Sequence, residues 1–384
     1  MKILRTLGVM TLTIWFSIFS VDESAHIFMA AASAAEAESA EFIPITKAPI
    51  FPKKGKWLNA KRLGKDVFKG KLTLLYFWDY TSVNCIRELG DLKRWFDRYH
   101  AYGLEVILIH APEFEFAGNK KHLKRALERM NITFPVFLDN GFEMWEEYAI
   151  RSWPTKNLVN REGLIVHTQV GEGKNLEFEK LIRKELEVFR PQAVLPGGVL
   201  ETESDDFSAW DCGEMSLETY VGYKRASWWG IEVINKPNLL PDETSVFRDR
   251  GERMDRGFFL EGTWTNHEDY FEHARTIDDY ADYLGFMYRG TEMYAVISMM
   301  QKSKETRIYV SRDDEPVPAL RRGVDLLVDE SGSTYLSLEE PRLYYIIANE
   351  DESTHEIKFA VKAKGVAFYV FSFSNRCLSD FDHL

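Results

Sequence analysis

Cysteine is scarce. The 384 residues hold three, Cys85, Cys212 and Cys377, and Cys85 has no second thiol nearby in sequence to act with it. No Cys/His cluster shows metal-ligand spacing, so neither a metal nor another cofactor is expected. Beyond residue 21 no apolar run is long enough to cross a membrane. No internal repeat or low-complexity tract stands out apart from an Ala/Ser/Glu stretch near residues 30–40, which excludes a fibrous or disordered chain. Basic charge is in deficit, with 48 Lys and Arg against 60 Asp and Glu and a net charge of -12. That balance argues against nucleic acid as a partner.

What is present divides the chain. Lys2 and Arg5 precede an uncharged apolar run, Leu7 to Val21, closed by Asp22 and Glu23 and followed by small residues such as Ala32-Ser33-Ala34. This is the layout of a secretory signal, or of an N-terminal anchor if residues 1–25 stay uncleaved. Residues 1–40 are assigned to it, and the rest of the chain is expected outside the cytoplasm, periplasmic or otherwise extracytoplasmic. Residues 41–190 carry 26 basic and 20 acidic side chains, a net of +6, whereas residues 191–384 carry 20 and 36, a net of -16. The two halves are expected to attract each other, with the helix bearing Lys120, Lys121, Lys124 and Arg125 as the contact.

Hydrophobic patterning separates the halves in the same place. Leu72–Trp78 and Leu104–His110 are continuous apolar runs of the kind that form buried parallel strands. Helical spacing follows the first run at Ile86, Leu89, Leu92 and Phe96. Further helices are expected near 119–130, 142–149 and 176–189, and strands near 134–138, 156–160 and 164–170. This order predicts an α/β sandwich over 45–190. Pro191, Pro196, Gly197 and Gly198 punctuate a linker. Short alternating strands then predict an all-β sandwich of jelly-roll type over 200–377. In that second half Cys212 and Cys377 are expected to pair as a disulfide in an oxidising compartment. Trp228, Trp229 and Trp264 supply either core or a platform for a glycan.

A strand, the segment Trp78-Asp79-Tyr80-Thr81-Ser82-Val83-Asn84-Cys85 and then a helix is where a thioredoxin fold keeps its Cys-x-x-Cys. With Phe77-Trp78-Asp79-Tyr80, His110-Ala111-Pro112-Glu113-Phe114, Leu138-Asp139-Asn140, Trp153-Pro154 and Gly171-Glu172-Gly173, the first half resembles the thioredoxin-like domain of the DipZ family, related to TlpA-type redoxins. The second half resembles the same family's carbohydrate-binding-module-like β-sandwich through Leu217–Tyr223, Gly262-Thr263-Trp264 and the final Phe368–Phe373 strand. The resemblance implies an α/β thioredoxin-like domain followed by a jelly-roll sandwich. It makes Pro154 the cis-proline facing the motif, beside which a thiol/disulfide protein partner or a peptide would bind. Three departures stand out. Ser82 replaces the first cysteine, Gly90 replaces the helix proline, and the family's membrane electron-transfer domain has no counterpart here.

A serine hydroxyl is not ionised near neutral pH and cannot replace an attacking thiolate. Dithiol turnover is therefore not expected, and Ser82 is expected to cap the helix by accepting from the Cys85 N–H. Cys85 itself is open to two readings, a buried small apolar residue or a thiolate stabilised in the first helical turn. Ser-x-x-Cys also resembles the peroxidatic motif of peroxiredoxins, although that family's proline is Trp78 here and Arg151 is not an evident equivalent of its arginine. His110 and Glu113 are candidates to deprotonate and orient Cys85, or else form a hydrogen-bonded loop pair. The leading reading is a redoxin with altered single-cysteine chemistry. The alternatives are a redox-silent peptide- or glycan-binding module and a single-cysteine peroxidase.

Overall fold

A computed structural model describes residues 46–200 except 62 and 65, and residues 214–374 except 238, 239, 301–305 and 349–352. The expected signal segment and the Cys212–Cys377 pair lie outside the described residues.

The first half builds a seven-stranded sheet from β1 (Thr46–Lys47), β2 (Lys56–Leu58), β3 (Leu72–Trp78), β4 (Leu104–His110), β5 (Val136–Leu138), β6 (Thr155–Val159) and β7 (Leu164–Val170), in the order β1-β7-β6-β3-β4-β5-β2. Strands β3, β4 and β5 run parallel, while β6 and β7 close the other side antiparallel. The bounds of β3, β4 and β7 are those expected from the apolar runs. Every residue of β3 is buried because both faces of the sheet are covered. Leu72, Leu74, Tyr76 and Trp78 meet helices α1 (Val83–Tyr99), α2 (Lys120–Arg129) and α4 (Asn175–Phe189). Leu75 and Phe77 turn to Phe51, Trp57, Phe68 and Met144, the last of these on the short α3 (Glu143–Glu147). The alternation follows from the period of two along a strand. The register sets Trp78 opposite His110, which brings the motif and the His110 loop to one edge of the sheet.

The second half is a large antiparallel sheet that curls on itself as a sandwich. Strand Gly257–Asn266 serves both faces. Phe258 to Glu261 pair with Tyr283–Phe286, and Trp264 to Asn266 pair with Phe271–His273. The switch falls at Gly262, whose φ is +101° and where any Cβ would overlap the Asp282 carboxylate. Glycine is required there on both counts. The core between the faces includes Phe258, Leu260, Trp264, Phe286, Ile308, Phe359 and Phe371. Trp264 is thus core, while Trp228 and Trp229 are exposed.

The halves pack against each other, and the contact differs from the expected one. Arg125 and Arg129 of α2 reach Glu340, but Lys124 pairs with Glu128 on its own helix, and Lys120 and Lys121 are exposed. Most of the contact is apolar. Phe114 is buried with Tyr220, Val296, Tyr369 and Val370, and Val83 with Tyr294, Tyr345 and Ala348. Charges near the surface are screened within about 8–10 Å, whereas apolar area removed from water is worth about 25 cal/mol per Å². Hydrophobic burial therefore decides the docking.

Candidate functional site

The chain leaves β3 at Trp78 and enters α1 at Val83, and Asp79 fixes the turn between them. Its buried carboxylate accepts from the Thr81 N–H at 3.1 Å, the Thr81 hydroxyl at 2.8 Å and the Glu113 N–H at 2.7 Å. His110 Nε2 lies 3.1 Å from it, within hydrogen-bond distance. The imidazole stacks on Tyr80, ring centroids 5.5 Å apart, and its Nδ1 is buried without a hydrogen-bond partner.

His110 and Glu113 therefore meet Asp79, and neither bonds Cys85. The Glu113 side chain points instead to the second half of the chain, where it accepts from the Tyr220 hydroxyl at 2.9 Å and from Arg225. Burial pushes its carboxyl up to about 7, against the pull of Arg225.

Ser82 is the N-cap residue of α1 with an extended backbone (φ -90°, ψ 116°), but its side chain makes no capping bond. The expected bond to the Cys85 N–H is therefore not formed. The side chains at i and i+3 share one face of the first turn.

Cys85 is fully buried. Burial pushes its thiol well above the usual range, the Ser82 hydroxyl and the Asp79 backbone oppose this, and the charges of Asp79 and Glu88 add to it. Of the two readings left open by the sequence, the geometry matches the buried, protonated thiol. The Tyr76 hydroxyl donates to the Cys85 carbonyl at 2.9 Å.

One turn further along α1 lies an ion pair that the sequence reading missed. Lys156 Nζ sits 2.8 Å from Glu88 Oε1, with both side chains shut from solvent. Lys156 also donates to Asn175 Oδ1 at 2.5 Å and to the Gly173 carbonyl at 3.2 Å. Burial holds the Glu88 carboxyl up at about 7 despite Lys156. The available signal was Glu88 itself, a carboxylate on the same helical face as Cys85 and Leu92.

Pro154 is buried and follows a cis peptide bond from Trp153. Trp153 Nε1 donates to the Ala111 carbonyl at 3.0 Å, tying this turn to the loop after β4. No group of three or more His, Cys, Asp or Glu among the described residues could hold a metal. None of their helices is long and apolar enough to cross a membrane.

A parallel β3-β4-β5 core with an antiparallel β6-β7 edge, a motif at the start of α1 and a cis-proline before β6 define a thioredoxin-fold redoxin. The comparisons place the chain further. Residues 45–168 match the AhpC/TSA family and residues 216–374 match the family described as thioredoxin like C-terminal domain, so this chain belongs to the redoxins that join those two domains. Protein DipZ of Mycobacterium bovis is 30% identical over 177 residues, 45% of this chain and 25% of that protein. Thiol-disulfide oxidoreductase ResA of Halalkalibacterium halodurans is 30% identical over 125 residues, 33% of this chain and 66% of that protein. A solved structure described as a putative thiol:disulfide interchange protein DsbE from Chlorobium tepidum is 20% identical, with a TM-score of 0.31, and covers 36% of this chain and 95% of that one. The chain spans about a quarter of the length of the DipZ relative.

Proposed function

We propose that this chain is an extracytoplasmic redoxin with altered, single-cysteine thiol chemistry, in which Ser82 stands where the attacking cysteine would be and Cys85 is the lone thiol. The observation that carries this reading is the placement of the motif, with Ser82 at the N-cap of α1 and the buried Cys85 in its first turn. Thiol–disulfide exchange needs a thiolate to attack and a second thiol to resolve. Ser82 supplies no thiolate, and burial pushes the Cys85 thiol up, which disfavours its thiolate. His110 is held on Asp79, which leaves the thiol without a base. The natural substrate class remains a thiol or disulfide of a polypeptide, as the printed name of the ResA relative suggests. The extracytoplasmic setting rests on the basic start and the apolar run from Leu7 to Val21.

A second reading, a redox-silent module that holds a peptide beside Pro154 or a glycan on the sandwich, is favoured by the same burial of Cys85. Peroxidase chemistry is disfavoured, because it requires an accessible thiolate.

Iodoacetamide labelling of Cys85 across pH 6–10, read by peptide mapping so that Cys212 and Cys377 do not interfere, tests the reading. Labelling that stays slow at neutral pH and rises only toward the alkaline end of the range, with no catalytic reduction of insulin, is expected. Half-maximal labelling below pH 7, or insulin turnover, overturns it. No labelling at any pH until the chain unfolds transfers the assignment to the binding module.

A further inference from the structure

Beneath the motif, α1, β6 and the start of α4 bring an amine, a carboxyl and a carboxamide together out of reach of solvent. Lys156 is 0% exposed, Glu88 1% and Asn175 4%. Lys156 Nζ is the common partner, 2.8 Å from Glu88 Oε1 and 2.5 Å from Asn175 Oδ1. The rings of Phe178 and Trp95 flank it, with centroids 5.3 and 5.9 Å away. Amine and amide are therefore already in contact, which supplies the encounter that a free amine and a free amide lack.

The other ends of these groups are arranged to match. Asn175 Nδ2 donates to Asp91 Oδ2 at 2.6 Å, which turns the amide oxygen to Lys156 and its nitrogen to a partly exposed carboxylate. Glu88 Oε1 also accepts from the Gly173 N–H at 2.8 Å, while Oε2 has no hydrogen-bond partner and is free to carry a proton. Burial already raises this carboxyl to about 7, so it is suited to take a proton from the amine and give it back. An amine stripped of its proton in an apolar pocket is a nucleophile.

We propose that Lys156 and Asn175 close a side-chain amide bond, an internal isopeptide cross-link, with Glu88 as its acid–base group. A proton passes from Lys156 Nζ to Glu88, and the freed lone pair attacks Asn175 Cγ. Glu88 lends its proton to Oδ1 as the tetrahedral carbon forms. The Cγ–Nδ2 bond then breaks, the carbonyl reforms, and ammonia leaves on the Asp91 side. Of the three ammonium hydrogens, one stays on the new amide, one departs with the ammonia and one ends on Glu88. One C–N bond forms and one breaks, and no oxidant or reductant is used. Both buried charges disappear, which relieves the desolvation that the ion pair must otherwise offset. The ion pair is the open form of this site, and the bond pins β6, just after the cis-proline, to α4. Cys85 takes no part, so the cross-link stands or falls separately from the thiol chemistry.

Tryptic mapping of the full chain by mass spectrometry, after incubation at neutral pH, tests this. Trypsin cuts after a free lysine and not after an acylated one. The expected product is peptide 152–161, uncut at Lys156, joined to peptide 175–180 and lighter than their sum by one ammonia. Glu88→Gln keeps the side chain's size but cannot relay the proton, and it should slow the appearance of the joined peptide about 100-fold. Asn175→Ala should abolish it. Finding only the separate peptides in the parent chain overturns the proposal, and this measurement decides even where a variant fails to fold. Equal amounts of joined peptide in the parent and in Glu88→Gln overturn it as well.

Discussion

Replacing Lys156 by methionine should expose how much the buried pair beneath the motif matters, and the effect should depend on pH. Lys156 and Glu88 are 0 and 1% exposed and 2.8 Å apart, and the second Glu88 oxygen has no hydrogen-bond partner. Removing one partner of such a pair costs about 3–5 kcal/mol, because the other charge stays buried without compensation. That cost applies at pH 8, where Glu88 is ionised in the parent chain and in the variant must either stay charged without Lys156 or take up a proton. Its folded-state carboxyl is held at about 7 against about 4.3 in an unfolded chain. The native state therefore binds this proton more tightly than the unfolded state does. The resulting stabilisation, roughly 3–4 kcal/mol, is fully present below about pH 4 and is lost as pH rises through about 7. In Lys156→Met the strongest influence lowering Glu88 is gone, so the loss begins at higher pH. At pH 5 the carboxyl is neutral in the folded variant and the penalty should shrink to about 1 kcal/mol. Urea unfolding at pH 5 and pH 8 measures this, with Trp95, 5.9 Å from Lys156 Nζ, as a nearby fluorophore. Glu88→Gln with Lys156→Met should recover most of the loss at pH 8. A penalty under 1 kcal/mol at pH 8, the same penalty at both pH values, or a double variant no better than the single one would refute the reasoning.

Three other substitutions test named contacts. Ser82→Cys should form a disulfide with Cys85, since position 82 caps the helix and position 85 lies three residues on in its first turn; mass spectrometry should find two hydrogens lost together on oxidation, and their retention would mean the two do not meet. Arg225→Ala strips the cation from buried Glu113 and should cost about 2–4 kcal/mol at pH 8 but less at pH 5, because the Glu113 carboxyl at about 7 is then protonated; urea unfolding at the two pH values checks it. In the same variant, iodoacetamide labelling of Cys85 at pH 8 should quicken at least tenfold if the second half of the chain limits access. Gly262→Ala forces a side chain into a left-handed backbone against the Asp282 carboxylate and should cost at least about 3 kcal/mol, visible as a lowered midpoint of thermal unfolding by circular dichroism.

The first half was legible because its strands are buried on both faces. A run such as Leu72–Trp78 with no polar alternation has few other homes, and its ends fall where apolarity stops. The short β1 and β2 escaped notice because two or three residues carry no measurable period. Within the motif, the sequence placed Ser82 and Cys85 on one turn but not the direction of the hydroxyl, which makes no capping bond. The contact between the halves was misjudged for a related reason. Net charges of +6 and -16 suggested the α2 lysines, yet Phe114 and Val83, each a single apolar residue in a loop or at a helix start, make the contact. Neither belongs to a periodic pattern, so only the fold reveals that both meet the sandwich.

The state of Cys85 follows from a contest among effects of opposite sign. A helix N-terminus lowers a thiol's pKa, with dipole interactions worth about 0.3–1 kcal/mol at exposed sites, and a hydroxyl hydrogen bond adds to that. Full burial works the other way, shifting groups by up to 3–5 pH units. An open thioredoxin-type motif keeps its attacking thiol at the surface, where the dipole wins. Here the surface position belongs to Ser82, which is partly exposed, and the remaining sulfur sits at the inner position. Val83, between them, is itself shut beneath Tyr294 and Tyr345. The serine substitution and burial act on the two positions of the motif: one removes the thiol at 82 that the dipole could have activated, and the other keeps water from the thiol at 85. Reversing either alone should therefore be insufficient for turnover. Ser82→Cys by itself should give a disulfide but little insulin reduction, Arg225→Ala by itself should give faster labelling but none, and only the combination should show both. Insulin reduction by Ser82→Cys alone at a rate equal to that of the double variant would show that the cover does not limit access.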